Sequence, residues 1–331
     1  MSISSSFAQV GGRYSFGFLN VANNAHVSGI GGINVSLYDR DPNLFLQNPA
    51  LIHDSISGYL SVNYLPYPGD IRSSSITYGF GKKAKWCMGF QYFGYGQMDE
   101  TDEAGNVIGT FGAGDAAFSI GRSHTIGLFT MGASGKMVYS NIASYTALAT
   151  LVDLGGVFRH PTHEWTIGLV LKNAGITWKT YTPDGKVYEP MDLQLGTSYK
   201  FEHLPVRLSL TAHHLQKWDI VYNDSTRMLD YNFDGTPIVE STSVFDKVTR
   251  HLVIGAEVLI SKSFHFYFGY NFQRRGELRM ETKSGGAGIT IGGMLRISKF
   301  HFGYSHSYYH LAGGSNCLTV TMNTHSFMKK K

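Results

Sequence analysis

FHFYFGYNFQ, residues 264–273, sets Phe264, Phe266, Phe268, Tyr270 and Phe272 on one side of an extended chain, with His265, Gly269, Asn271 and Gln273 on the other. Successive side chains of a strand point to opposite faces, so this spacing predicts a strand with one apolar face and one polar or small face. The same period recurs on both sides of it. In 164–172, Trp165, Ile167, Leu169 and Leu171 oppose Glu164, Thr166, Gly168 and Lys172. In 286–297, Ala287, Ile289, Ile291, Leu295 and Ile297 oppose Gly286, Gly288, Thr290, Gly292 and Arg296.

Working outward, segments of this kind fall near 57–65, 71–80, 85–95, 112–122, 125–139, 149–159, 164–173, 191–201, 205–216, 249–260, 264–273, 285–297, 300–309 and 315–326. That makes about 14 strands, most of about nine to thirteen residues, the length a tilted strand needs to cross a bilayer. Strands of soluble domains are shorter, about five or six residues. The links near 81–84, 123–124, 160–163, 202–204, 261–263 and 298–299 are short. Those near 66–70, 96–111, 140–148, 174–190, 217–248, 274–284 and 310–314 are mostly longer. Alternating short turns and long loops are the mark of an up-and-down antiparallel transmembrane β-barrel, whereas Greek-key sandwiches lack this rhythm. The fold class is therefore all-β, with the barrel over 57–327. An even strand count puts both termini on the periplasmic side.

Composition agrees without deciding. The chain has 331 residues, a net charge of +4, 16% charged residues, 39 Gly, 20 Tyr and 21 Phe. The charge is too mild to argue for nucleic acid, and the charged fraction lies below the soluble norm of roughly 25%. No run of about twenty apolar residues is present, so no membrane-crossing helix is expected. A pair of soluble β-sandwiches would share this composition. Cys87 and Cys317 lie too far apart in sequence, with no CxxC, to suggest a disulfide framework or a cysteine zinc site. No cofactor and no catalytic cluster is expected, so the chain reads as a non-enzyme.

The start, MSISSSFAQVGG, ends Ser6-Phe7-Ala8 like the small-residue end of a secretory signal, though the basic and long apolar parts are absent. Residues 1–8 read as the remnant of a signal peptide or, equally, as a Ser-rich tail. Residues 9–56 stand apart from the strands. Within them DRDPNLFLQNPALI, 39–52, begins like a helix with Asp41 as cap and Pro42 in the first turn, and breaks near Asn48 and Pro49. Its apolar residues, Leu44, Phe45, Leu46, Ala50, Leu51 and Ile52, need shelter. The barrel lumen is the nearest, which predicts a short helical plug built on Asp41, Pro42, Leu44, Leu46, Asn48, Pro49 and Ala50. A helix at the barrel mouth, or a clasp on its outer wall, is the plainer alternative.

GGINVSLYDRDPNLFLQNPALI (31–52), preceded by GGRYSFGFLNVANNAHVSGIGG, resembles the N-terminal region of the PorQ family, outer-membrane components of the type IX secretion system. That family belongs with PorV among barrels distantly similar to the FadL transporters. The pattern of Asp41, Pro42, Asn48, Pro49 and Ala50 is shared across this wider group. The resemblance implies a 14-stranded FadL-like barrel in the outer membrane of a Gram-negative cell. It also implies a scaffolding role, anchoring a surface protein of the PorZ type and the PorU/PorV sortase complex that attaches cargo to lipopolysaccharide. A FadL-like transporter of small hydrophobic molecules and a PorV-like cargo shuttle are the alternatives. An inward-facing apolar cluster, or a kink in an early strand, would favour the transporter.

The longest loop, 217–248, carries Trp218, Tyr222, Tyr231 and Phe233, aromatic anchors suited to a protein partner or to a lid over the mouth. Within it Asp230, Asn232, Asp234 and Gly235 match the start of a calcium loop, but Ser241 stands where Glu belongs, so a polar turn is the simpler reading. His213 and His214 are adjacent on a strand and so point to opposite faces, poor geometry for a shared ligand. Trp86, Tyr92, Tyr95, Trp165, Tyr304 and Tyr308 fall near strand ends, as the aromatic girdles of a membrane barrel do.

Overall fold

Fourteen antiparallel strands close on themselves in chain order, with β1 bonded to both β2 and β14. The computed structural model describes residues 14–67, 69–81, 85–182, 188–221, 243–278, 285–310 and 313–328. The strands are β1 Tyr59–Pro66, β2 Arg72–Phe80, β3 Trp86–Thr101, β4 Val107–Ile126, β5 Phe129–Ile142, β6 Tyr145–Arg159 and β7 Trp165–Lys179. They continue with β8 Asp192–Lys200, β9 Val206–Ala212, β10 Leu252–Ser261, β11 Phe264–Asn271, β12 Ile289–Ile297, β13 Phe300–His310 and β14 Gly313–Asn323. All fourteen expected strands are present. Closure leaves no unpaired sheet edge, which a bilayer would penalise heavily.

The wall inverts the soluble pattern. Val62, Ile76, Phe90, Phe118, Leu169, Phe268 and Val320 are exposed on the outside. Between them Ser61, Ser75, Ser119, Ser134, Ser198, Thr211, Thr290, Ser305 and Thr321 are buried on the inside. An apolar belt outside and small polar residues inside is the arrangement of a lipid-embedded barrel, not of a sandwich core. Trp86, Tyr92, Trp165, Tyr304 and Tyr308 stand partly or well exposed, as expected of girdle residues. Tyr95 departs from the girdle. The register slips between Gly94 and Gln97, and Tyr95 turns inward, where its hydroxyl donates to Asp115 Oδ2 at 2.6 Å.

Connections at one end of the barrel are tight, as at 127–128 and 262–263; those at the other end include all the long ones. We call these the short-turn and long-loop ends. Two segments read as loops are largely strand. β3 and β4 run on together to Thr101 and Val107, and β5 and β6 pair as far as Ile142 opposite Tyr145. Glycine and small polar residues blunt the alternation there and hid the strands. The long connections after β9 and β11 carry short helices, Val244–Arg250 and Phe272–Leu278.

Residues 14–58 fill the lumen. Ser15 at the long-loop end donates its backbone N–H to the Tyr188 carbonyl at 3.1 Å, and the segment leads into β1 at the short-turn end, where Tyr59 pairs with Asn323. The described chain thus runs through the barrel from one end to the other before the wall begins. Its first described residues and its last lie at opposite ends. Residues 1–8, read as a signal remnant, lie outside the described residues.

Candidate functional site

The plug is built from tight turns, three of them closed by a side-chain cap, from Asn24, Asp41 and Asn48. The expected helix at 41–52 is two short 3-10 turns, Pro42–Leu46 and Pro49–Leu51. Two prolines seven residues apart leave too little chain for an α-helix between them. Asp41 accepts from the Asn43 N–H and Asn48 from the Ala50 N–H, each at 2.9 Å. These caps meet backbone donors that would otherwise be orphaned where the turns are buried. Leu44, Phe45, Leu46, Ala50, Leu51 and Ile52 are all buried. The plug therefore sits inside the barrel, and neither a mouth helix nor an outer clasp describes it.

Polar side chains bond the plug to the wall around nearly the whole circumference. The Asn43 amide donates to Ser61 Oγ at 2.8 Å, while its carbonyl accepts from Asn63 and Thr77. Ser36 Oγ meets Ser198 Oγ at 2.8 Å and the Ser36 carbonyl accepts from Thr166 at 2.6 Å. Ser123 donates to the Ile52 carbonyl at 2.6 Å and Thr290 to that of Gly29 at 2.8 Å. Glycines in the wall make the close approach possible. A Cβ on Gly155 would overlap the Asn48 side chain, one on Gly168 the Val35 carbonyl, and one on Gly132 the backbone of Pro49.

Toward the short-turn end the plug and wall share a buried charge cluster. His26 Nε2 lies 2.9 Å from Glu257 Oε2, and Arg207 lies 3.3 Å from Glu257 and 3.6 Å from Asp39. Burial pulls the His26 imidazole down, but the carboxylates of Glu257, Asp39 and Asp41 together outweigh it and hold the group above the usual histidine value. Burial pushes Asp39 up, and Arg207 and His26 overcome it and hold the carboxyl low. Asp41, with less compensation, is raised by burial. A polar cavity of about 60 Å³ opens beside these groups, lined also by His265, Arg296 and His301.

The long-loop half is different. Phe16, Phe18 and Leu19 of the plug pack on Phe93, Val138 and Leu151 of the wall, with Tyr67, Tyr95 and Tyr181 at the margin. Here a cluster of apolar and aromatic side chains faces the lumen. Directly behind it, the slip in β3 sets Gly94 opposite Gly114 and Gln97 opposite Gly112, and a groove of about 550 Å³, lined by Gly94, Gly96, Gly112 and Gly114, indents the outer wall between Tyr92 and Tyr139. Two apolar grooves elsewhere, of about 800 and 640 Å³, lie on the outer face among residues such as Met131, Leu154 and Leu169 or Phe266, Phe268 and Ile291, where a bilayer would cover them.

Of the expected partner-binding residues, Trp218 is described. It is exposed at the long-loop end, its ring stacked 6.4 Å from that of His251. Tyr222, Tyr231 and Phe233, and the calcium-like Asp230 to Ser241, lie outside the described residues. The nearby helix Val244–Arg250 exposes Val244 and Phe245. One reading is corrected. His213 and His214 do not diverge: β9 ends at Ala212 and His214 takes a left-handed backbone, φ 55°. The two rings therefore turn toward each other and toward Asp192. The sequence holds no signal for this, because alternation fails where a strand stops.

A closed barrel of 14 strands, apolar outside and plugged by its own N-terminal segment, defines an outer-membrane-type β-barrel. No protein-family model matches the sequence, and no curated protein matches it. Solved structures do. Two structures of the toluene transporter TodX from Pseudomonas putida align with TM-scores of 0.55 and 0.51 at 11% and 12% identity, covering 92% and 91% of this chain and 99% and 96% of theirs. A Pseudomonas aeruginosa FadL homologue aligns with a TM-score of 0.49 at 12% identity, over 92% of this chain and 98% of its own. At such identities the likeness to TodX establishes the fold, a FadL-like barrel, and nothing about what passes through it.

Proposed function

We propose that this barrel takes up small hydrophobic molecules at the outer membrane and passes them sideways through its wall. One observation carries the reading: the lumen-facing apolar cluster around Phe18 and Phe93 lies against a stretch of β3 and β4 where the register slips and four glycines thin the wall. An apolar solute arriving from the long-loop end meets aromatic rings first. Below them it meets a floor of buried charge and hydrogen-bonded plug that offers it nothing. The thin wall is the path of least desolvation. That TodX, whose fold this barrel shares, is a toluene transporter accords with this reading. The test is accumulation of a radiolabelled monoaromatic by cells or proteoliposomes. Phe93→Asp places a charge in the cluster and is expected to cut uptake about tenfold, equivalent to about 1.4 kcal/mol. Uptake by the variant equal to that of the parent would sink the proposal.

A second reading keeps the type IX secretion role implied by the PorQ resemblance. It is favoured by the apolar and aromatic side chains presented at the long-loop end, Trp218, Val244 and Phe245, above a plugged lumen. On this reading the barrel is a scaffold in the outer membrane. Its long loops face outward and hold a PorZ-type surface protein with a PorU/PorV-type sortase complex, next to lipopolysaccharide. Purification in mild detergent separates the two readings. Recovery with a large surface protein, a sortase and a second barrel supports the anchor. Recovery alone, with an apolar molecule bound, supports the transporter.

A further inference from the structure

We propose that Asp192, His213 and His214 form a binding site for a divalent cation of the zinc class at the base of the longest loop. One ligand atom from each of the three lies within 4.8 Å of the others. The Nδ1 atoms of His213 and His214 are 2.5 Å apart and His214 Nδ1 is 3.7 Å from Asp192 Oδ2. Donors bound at about 2.0–2.1 Å in a tetrahedron stand about 3.3 Å apart. The present separations bracket that value, so small side-chain rotations bring all three donors onto one ion.

The backbone explains why the donors converge. Asp192 is the first residue of β8, and His213 and His214 follow the last residue of β9, its hydrogen-bonded neighbour. The left-handed turn at His214 folds its ring back over the strand end. Asp192 Oδ1 accepts from the His214 backbone N–H at 2.6 Å and Oδ2 accepts from Gln194 at 2.6 Å, which fixes the carboxylate. His251 brackets His213, donating from Nδ1 to its carbonyl at 2.7 Å and accepting its backbone N–H at 2.9 Å. Such outer partners orient metal ligands.

His213 is fully buried, and among the described residues its Nδ1 meets the ring of His214 and nothing else. Two imidazoles facing each other nitrogen to nitrogen, beside a carboxylate, satisfy one proton between them; a cation satisfies both lone pairs and the carboxylate at once. Two nitrogen donors and one oxygen suit zinc, whereas calcium and magnesium take all-oxygen shells. Three protein ligands leave the fourth position for water. The ion would tie the start of β8 to the residues that follow β9, whichever molecule or partner the long-loop end meets.

The experiment uses the full chain in detergent, stripped with a chelator, equilibrated with Zn²⁺ and passed through a desalting column before metal analysis. Co²⁺ serves as a spectroscopic stand-in. The expected result is one ion per chain, tetrahedral cobalt absorption, and a rise in the unfolding temperature on adding zinc. His214→Asn keeps a residue tolerant of the left-handed backbone and removes the imidazole. Asp192→Asn removes the charge. Each is expected to weaken zinc binding at least about tenfold while the variant still migrates as a heat-modifiable barrel. His306→Gln, on β13, should bind as the parent does. A parent that retains no zinc, or a His214→Asn variant that binds zinc as tightly as the parent, overturns the site.

Discussion

The two halves of the lumen are filled by the same plug in opposite ways. Toward the short-turn end, residues 34–57 are held by hydrogen bonds to many strands, by backbone seated on wall glycines and by a buried charge cluster. Toward the long-loop end, residues 15–21 are held mainly by apolar contact with Phe93, Val138 and Leu151, and the wall behind them is thinned. Directional bonds fix one geometry, and breaking any of them leaves a buried polar group unpaired. Apolar contacts are tolerant of rearrangement. The difference assigns immobility to the lower half and adaptability to the upper.

Glu257 is where the lower half should break most readily. Replacing it by Gln leaves His26 and Arg207 facing an uncharged group in a buried site, a loss of about 3 to 5 kcal/mol by the usual cost of orphaning a buried charge. Urea unfolding followed by gel mobility would read it. The pH dependence sharpens the test. His26 is held above its ordinary value, so its contribution is fully present below about pH 6.5 and is lost as pH rises through the higher folded value. Asp39 is held low, so its contribution is present above the ordinary carboxylate range and is lost as pH falls through the folded value. In Glu257→Gln the loss as pH rises above about 6.5 should flatten, because the largest group raising His26 is gone. An unchanged slope would show that the cluster does not govern the plug.

The wall glycines give a second contrast. Gly155→Val drives a side chain into Asn48, and overpacking of this kind costs about 3 kcal/mol. A Cβ on Gly112 meets nothing nearer than the Gly96 carbonyl at 3.8 Å, so Gly112→Ala should leave the unfolding midpoint close to that of the parent. Equal destabilisation by both would mean that the plug is not seated on the lower wall as described.

Leu46→Asp probes the seal. Leu46 packs with Phe45, Ile52, Ile56 and Cys87, and a carboxylate there has no partner, a penalty of about 3 kcal/mol. The expected outcome is a leakier barrel, measured as entry of a polar dye or antibiotic otherwise excluded. Unaltered permeability in a folded variant would separate the plug from the seal.

The barrel was legible in the sequence because lipid outside and a polar lumen inside impose a strict two-residue period, as in 264–273, and because turns and loops alternate. In the plug, the cap at Asp41 and the break at Pro49 could be read from residue type, whereas the second turn, capped by Asn48, could not. What could not be read arises where periodicity lapses. Tyr95 turns inward because β3 slips at Gly94, His214 turns back because its strand has ended, and Glu257 meets His26 across 231 positions of chain. Each depends on register or on closure of the barrel, which no local pattern encodes. The seating of the plug on Gly132, Gly155 and Gly168 is of the same kind. A glycine inside a strand signals a close approach, but not what approaches it.

Tyr95→Phe makes the smallest change and bears most directly on the upper half. It removes one hydroxyl from the lip of the apolar cluster, where Tyr95 donates to Asp115 and Tyr181 donates to Ser140 at 2.5 Å. Asp115 still accepts from Ser140, so the loss should be about 1 kcal/mol, the ordinary net value of a hydrogen bond. That is too little to shift global unfolding if the lower half carries the stability of the plug. It is enough to raise local opening about fivefold, read as faster amide exchange in residues 15–21 with residues 34–57 unaffected. Equal acceleration in both segments would mean that the plug opens as one body. The contrast between its halves would then be one of composition and not of motion, and a lateral route past Phe18 would require the whole plug to yield.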